Sequence, residues 1–152
     1  MKFTTLIALL AIGIVTRAIA ADAPSPAAPP TEVVVIDHAQ VDATFANGLP
    51  PWIVNTSYKI QAGRRLVAGK VEIHEHDTDI LWVTEGSATL VTGGTVIGKT
   101  TKSPGELGGD KIEGGVTRKV VKGDLIVIPQ GIPHWFSAVD GTFLYFVVKV
   151  TK

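Results

Sequence analysis

From residue 52 onward, hydrophobic and polar residues alternate in short runs that end at glycine, aspartate or proline. Alternation with a period of two is typical of strands that bury one face. The candidate strands cover residues 52–61, 66–76, 80–84, 87–92, 116–121, 125–128, 135–138 and 142–150. Many short strands separated by turn residues predict an all-β sandwich or closed barrel.

The run at residues 143–150 is apolar on both faces, which is typical of a central strand with a core on one side and a second cover on the other. Trp82 is out of phase with the predicted inward positions Leu81 and Val83, and Trp135 is out of phase in the same way. We therefore expect both tryptophans to point outward. Outward tryptophans indicate a subunit interface and hence a homodimer. The alternative is that the N-terminal segment covers them.

The chain upstream of these strands has a different pattern. Residues 32–36 predict a first strand. Asp37 followed three residues later by Gln40 is a capping-box pattern, which marks the start of a helix. We predict one short helix at residues 38–46 that packs Phe45 beneath the barrel.

Residues 1–20 have the organisation of a secretory signal peptide. Lys2 gives a positive start, an apolar run follows, and the last three residues form a small-x-small site. We predict cleavage before Ala21 and a periplasmic or secreted protein. An uncleaved anchor is the alternative, but the apolar run is too short to favour a stable membrane span.

The remaining composition indicates one exported globular domain. Residues 21–31 are rich in proline and alanine and predict an extended linker, which leaves residues 32–152 as a single barrel domain. The chain has 14 basic and 14 acidic residues, so its charge gives no indication of a nucleic-acid partner. It has no cysteine, which excludes thiol catalysis and thiolate metal ligands.

Residues 93–115 hold eight of the 16 glycines. A glycine-rich connection of this length in a compact domain is usually functional or disordered. We predict a segment that is mobile without ligand and contributes little to folding stability, because ordering many glycines is entropically unfavourable. Two interpretations remain open, a lid over a site and a plain exposed loop.

Three of the four histidines fall within the strand region. His74 and His76 lie two apart in one candidate strand, so their side chains are predicted to share a face. Asp79 begins the next strand, and His134 follows a turn rich in proline and glycine. Imidazole and carboxylate ligands suit one divalent ion of iron, manganese, nickel or zinc. A hydrogen-bonded histidine is the alternative, which we adopt for His38, and a turn carboxylate is the alternative for Asp79.

The spacing of these residues resembles the two-part signature of the cupin superfamily. The residues that correspond to the first part are Gly69, His74, His76, Asp79 and Gly86. Those that correspond to the second part are Gly123, Pro129, Gly131 and His134. The resemblance covers roughly residues 58–150. It departs from the usual pattern in the spacing between Gly69 and His74, in an aspartate that replaces glutamate one residue closer to His76, and in Ala138, where asparagine is common.

The resemblance implies a jelly-roll (cupin) β-barrel that holds one divalent metal ion through His74, His76, Asp79 and His134. It also implies a metal-dependent enzyme acting on a small organic substrate, with dioxygenase-like oxidation ahead of isomerase or lyase chemistry. Two other interpretations remain open. One is a non-enzymatic exported protein that binds a small ligand, and the other is a dimeric module in which the metal only stabilises the fold.

Three further side chains are candidates near this site. Glu72 shares a strand face with His74 and is a candidate general base, the alternative being a solvated carboxylate at a strand edge. Arg64 and Arg65 lie on a neighbouring strand and are candidates to orient an anionic substrate, the alternative being a solvated turn.

Overall fold

The computed structural model describes residues 27–152, so the predicted signal peptide and the first part of the predicted linker lie outside the described residues. One helix precedes eleven strands. The elements are α1 (His38–Asn47), β1 (Ile53–Val54), β2 (Tyr58–Arg65), β3 (Val71–His74), β4 (Asp77–Thr92), β5 (Thr95–Ile97), β6 (Thr100–Ser103), β7 (Glu106–Gly109), β8 (Lys111–Glu113), β9 (Val116–Val121), β10 (Leu125–Ile128) and β11 (His134–Thr151). Within residues 27–152, no helix is long and apolar enough to cross a membrane.

Strands β4 and β11 form the centre of the fold. They pair antiparallel from His134 opposite Thr92 to Thr151 opposite Asp77. β2 flanks β11, β9 and β10 flank β4, and β3 leads through β7 to β6 at the edge. The predicted all-β, jelly-roll class is confirmed, although the pairings among the described strands do not close into a continuous barrel.

Each of the two central strands was predicted as two separate shorter strands. β4 continues through Gly86, where φ is 74°, and β11 is irregular opposite this position, between Asp140 and Leu144. A side chain at Gly86 would clash with the backbone oxygen of Thr142. The strands bend past each other here because glycine has no Cβ.

Inward residues of β4 and β11 build the main core. Leu81 and Val83 are buried on β4, whereas Trp82 between them is 56% exposed. On β11, Phe143 and Tyr145 pack against each other with ring centroids 5.3 Å apart. The alternation that predicted these faces is therefore confirmed for the core end of both strands.

The outer face of β11 is covered by the N-terminal segment. Phe146 packs against Phe45 of α1 at 5.4 Å and against Trp52 at 5.8 Å, measured between ring centroids. The predicted capping box is formed by both Asp37 and Gln40. Both the helix and the packing of Phe45 beneath the sheet are thus confirmed.

The two tryptophans predicted to point outward differ in their exposure to solvent. Trp82 is exposed, but Trp135 is half-buried and packs against a second small core that contains Val71 and Ile112. The indole nitrogen of Trp135 donates a hydrogen bond to the backbone oxygen of Gly69 at 2.8 Å. The prediction for Trp135 was wrong because its side chain lies over this second core.

The glycine-rich segment at residues 93–115, which the sequence left open as a lid or a plain exposed loop, forms four short strands. β7 pairs with β3 and β6, while β5 pairs with β8. Ile112 is buried. A Cβ at Gly109 would clash with the side chain of Val96. Glycine at this position therefore permits close strand packing.

Three further strand predictions were wrong. The predicted strand at residues 52–61 is divided between β1 and β2. Residues 32–36 form no strand, and Val33 is 92% exposed. Valine favours strands only where a neighbouring strand is available to pair with it. β3 spans only Val71–His74, instead of residues 66–76, and the chain bends immediately afterwards.

Candidate metal site

Three strands bring five ionisable side chains to one end of the interior. β3 supplies Glu72 and His74, β4 supplies Asp79, and β11 supplies His134 and Lys149. His134 is paired with Glu72, and Lys149 with Asp79, so each pair lies side by side across neighbouring strands. All are buried except Glu72, which is half-buried. The strand pairing thus positions the cluster.

The ligand atoms converge at distances suited to one ion. Glu72, His74 and His134 each offer an atom within 4.8 Å of the others. His74 Nε2 lies 3.7 Å from Glu72 Oε2 and 3.5 Å from Asp79 Oδ2, and His134 Nε2 lies 3.8 Å from Asp79 Oδ2. Two tetrahedral ligands of zinc at their usual bond lengths are about 3.4 Å apart. The spacing therefore fits a divalent ion.

The two ring nitrogens of His74 have partners of opposite kind. Nδ1 lies 2.6 Å from Glu106 Oε2, and Nε2 lies 2.7 Å from the ammonium nitrogen of Lys149. An ionised carboxylate only accepts hydrogen bonds and an ammonium only donates them. These partners assign the proton of a neutral His74 to Nδ1 and direct the Nε2 lone pair into the cluster. A carboxylate on the outer nitrogen is a common support for a metal-binding histidine.

His134 is oriented by the backbone. Its Nδ1 donates to the backbone oxygen of Ile132 at 3.1 Å, which turns Nε2 toward the cluster. Burial lowers the pKa of His134 below its ordinary value, against the opposing effects of the Ile132 hydrogen bond and the charges of Asp79 and Glu72. Burial thus favours the neutral imidazole, which is the form that binds metals.

Glu72 points into the cluster and is held by Arg65. Burial alone would raise the pKa of Glu72, but the charge and hydrogen bond of Arg65, at 2.8 Å, bring it below the ordinary value. Arg65 also donates to the hydroxyl of Tyr145 at 3.2 Å and lies over the ring of Phe136. Glu72 is therefore an ionised ligand candidate and a weaker base than an ordinary glutamate. Arg64, in contrast, is exposed.

Lys149 is one of two side chains at the site that the sequence did not identify. Its Nζ lies 2.8 Å from both carboxylate oxygens of Asp79, and Lys149 is 8% exposed. The sequence feature that could have identified Lys149 is the alternation along the strand, because Lys149 falls on the same inward face as Tyr145 and Val147. Glu106 was missed for a different reason, since it belongs to the glycine-rich segment that was interpreted as a lid or an exposed loop.

The structure does not bring His76 to the cluster. The shared-face argument required the strand to continue through His76, but β3 ends at His74 and His76 is exposed on the bend. Glu72, two residues before His74, occupies the shared face instead. A ligand role for His76 stays a prediction.

Two cavities lie near the cluster. The cavity at the ligand atoms measures about 30 Å³ and is lined by Glu72, Asp79 and Lys149, among others. A separate groove of about 220 Å³, which shares no lining residue with that cavity, is lined by His76 and Glu106 among others. Since one buried water molecule needs about 10–15 Å³ of such space, the first cavity has room only for water-sized groups.

The family model for cupins matches residues 68–152, which is more than half of the chain. The chain belongs to the cupin family. No curated protein matches it.

The chain is similar to several solved structures, and the first of the three below supports the fold. The protein BH2720 from Bacillus halodurans is 14% identical, with a TM-score of 0.54 over 84% of this chain and 86% of its own. The DMSP lyase DddQ from Ruegeria pomeroyi is 17% identical, with a TM-score of 0.44 over 63% of this chain and 39% of its own. The polyketide cyclase RemF from Streptomyces resistomycificus is 20% identical, with a TM-score of 0.42 over 63% of this chain and 56% of its own.

Proposed function

We propose that this cupin binds one divalent metal ion through Glu72, His74 and His134, with Asp79 as a further ligand. The observation that carries the proposal is the convergence of these side chains, because the ligand atoms of the pairs Glu72–His74, His74–Asp79 and His134–Asp79 are 3.5–3.8 Å apart. Imidazole and carboxylate ligands suit iron, manganese, nickel or zinc, and this set does not choose among them.

We further propose that the protein is a metal-dependent enzyme acting on a small organic substrate, by dioxygenase-like oxidation or by isomerase or lyase chemistry. A bound metal would supply Lewis acidity or oxygen chemistry at an open coordination position. The chain itself orients the ligands, because Glu106 fixes the proton of His74 and Arg65 keeps Glu72 ionised.

The groove lined by Glu106 is where we place the small organic molecule. Its volume of about 220 Å³ exceeds that of the cavity at the ligand atoms, about 30 Å³. Glu106 lines the groove and also holds His74 at 2.6 Å, so a molecule in the groove would lie one hydrogen bond from a metal ligand. This contact supports a link between substrate and metal.

A non-enzymatic binding protein is the second candidate function. The observation that favours it is the small cavity at the ligand atoms, which leaves no room for a substrate beside the metal. A substrate screen with oxygen uptake and product analysis separates the two candidates. Ligand-induced stabilisation without turnover would favour the binding protein, whereas turnover that is lost with the metal would favour the enzyme.

Metal analysis of purified variants tests the site. We expect about one divalent ion per chain in the wild type and a large loss in His134→Ala and Glu72→Gln. His38→Ala is the matched control, because His38 lies on α1 away from the cluster. Equal metal content in all four proteins would contradict the proposal. His76→Ala, examined in parallel, decides whether His76 contributes despite its position.

A homodimer is also proposed, through an exposed apolar patch around Trp82. Trp82 is paired with Leu125, and the exposed fractions of Trp82, Leu125 and Val127 are 56%, 68% and 57%. Sedimentation velocity should show twice the chain mass for wild type and for the control Val33→Glu, but a monomer for Trp82→Glu. A monomeric wild type would contradict the dimer.

Export remains a proposal that rests on residues 1–20. N-terminal sequencing of the protein from the periplasm or medium of an expressing bacterium should begin at Ala21. Recovery of an intact N-terminus in the cytoplasm would contradict cleavage and export.

A further inference from the structure

The ammonium of Lys149 lies among the atoms that the proposed metal needs. Its nitrogen is 2.8 Å from both oxygens of Asp79 and 2.7 Å from Nε2 of His74. We propose that Lys149 is the internal cation of this site and that a divalent metal ion binds only by displacing its ammonium. This inference rests on the proposed metal site and adds a competitor within the same chain.

The geometry at His74 makes the two cations mutually exclusive. A neutral imidazole has a single nitrogen lone pair, and in His74 it is on Nε2 because Nδ1 donates to Glu106. That lone pair accepts a hydrogen bond from Lys149. A metal ion needs the same lone pair, so it cannot bind His74 while the lysine remains in place.

The charges of the cluster also support Lys149 as the internal cation of the site. Arg65 is paired with Glu72 at 2.8 Å, and Lys149 is paired with Asp79 at 2.8 Å. Both inward carboxylates are therefore balanced by basic side chains of the chain itself. A buried carboxylate without a partner is strongly unfavourable. Lys149 allows the cluster to be buried before any metal ion arrives.

The competition lowers the apparent metal affinity. If the ammonium leaves the ligands only a small fraction of the time, the apparent dissociation constant rises by the inverse of that fraction. Removing the ammonium should therefore tighten metal binding, although Lys149 is not itself a metal ligand. A residue that merely supports the fold would have no such effect, because its loss would weaken binding or leave it unchanged.

Zinc binding to the metal-free full chain tests the proposal. Zn²⁺ is titrated in competition with a chromophoric chelator into wild type, Lys149→Met and Lys149→Gln. The glutamine variant is neutral but can still donate a hydrogen bond to Asp79, which protects folding. Lys119→Met is the matched control, because Lys119 is also bonded to an aspartate, Asp140, but on the exposed surface.

We expect both Lys149 variants to bind Zn²⁺ about tenfold tighter or more than wild type, and the control to match wild type within about twofold. Variants that fold only when zinc is present would support the proposal in the same way. Equal or weaker zinc binding by both variants would overturn it. Failure of both to fold even with zinc would also overturn it, because the metal would then be unable to replace the ammonium.

The outcomes separate this inference from the proposed function. If wild type binds zinc and the Lys149 variants bind it no better, the metal site stands and the competition is wrong. If wild type binds none and the variants bind it through His134, the competition stands and the wild-type metal function is wrong. If no protein binds zinc, both are wrong.

Discussion

The paired strands β4 and β11 build two different interiors along their length. At one end, Val83 lies beside Tyr145 and Leu81 beside Val147, and all four are buried. Two residues further, the corresponding inward pair is Asp79 and Lys149. The interior thus changes from apolar to ionic between one inward pair of residues and the next.

The difference shows that one end of the sheet is stabilised by packing, while the other end positions the ionisable groups of the proposed site. At the apolar end, burial of side chains is sufficient, because packing is not directional. At the ionic end, each buried group needs a partner of the correct kind. Lys149 bonds Asp79, Glu106 bonds His74, and the Ile132 backbone bonds His134. The strand backbone is the same, and only the inward side chains differ.

The largest effect is expected at the apolar end. Phe143 is 0% exposed and packs against two aromatic rings. Phe143→Ala should lower the free energy of unfolding by about 3–5 kcal/mol, because it leaves a cavity in the core. Urea denaturation of the metal-free protein measures this loss. Val116→Ala, at a 55% exposed position, should change it by only about 0.5 kcal/mol. Similar small losses in both would remove the distinction between core and surface.

The next effect concerns conversion of the ionic end into an apolar one. Asp79→Leu or Lys149→Met alone should lower the free energy of unfolding by roughly 3 kcal/mol, because each leaves a buried charge unpaired. The double variant should be closer to wild type than the sum of the two single losses. Urea denaturation of the wild type, the two single variants and the double variant, all without metal, measures the coupling energy between the two side chains. Additive losses would mean that the two side chains do not depend on each other.

The third prediction concerns the support of His74. Glu106→Gln should lower metal affinity by about 10–100-fold, because the carboxylate that fixes the Nδ1 proton is lost. Zinc competition measures the change. Glu113→Gln, in the same glycine-rich segment but bonded to Lys111 on the surface, should bind zinc as the wild type does. An unaffected Glu106 variant would show that the backbone alone orients His74.

The smallest effect is a dependence on pH at the ionic end. The folded-state pKa of Glu72 is lowered, so its contribution to stability is present above the ordinary value of 4.5 and is lost as the pH falls through the folded pKa. The pair with Arg65 is partly exposed, so the contribution should be about 1 kcal/mol or less. Glu72→Gln should flatten the pH dependence of unfolding of the metal-free protein below about pH 4.5. An unchanged profile would contradict the prediction.

The sequence correctly predicted the features that depend on residues close together in the chain or on a motif spacing. The helix follows from the capping pattern of Asp37 and Gln40, and the core faces follow from alternation at Leu81 and Val83. His74, Asp79 and His134 were predicted to be close together, and they are. These features depend on neighbouring residues or on a motif spacing, which is why they can be read from one chain.

The features that could not be predicted depend on pairing between distant segments. β3 ends at His74, where its pairing with β7 also ends, whereas the turn residues Asp77 and Thr78 had placed the end of the strand two residues later. The strands in residues 93–115 are likewise stabilised by long-range pairing, which their glycine content conceals. Lys149 was in phase with the core, but an inward lysine contradicts the usual exposure of that residue, and its partner Asp79 is 70 positions away.

The position of Glu106 on β7 makes the site sensitive to register. β7 is a strand of four residues, in which Glu106 pairs with His74. A slip of one residue would turn Glu106 to the opposite face of the sheet, because strand side chains alternate. Nδ1 of His74 would then lose its carboxylate while every metal ligand kept its place. An insertion or deletion in the glycine-rich segment would therefore change the proton position on His74 without altering any ligand.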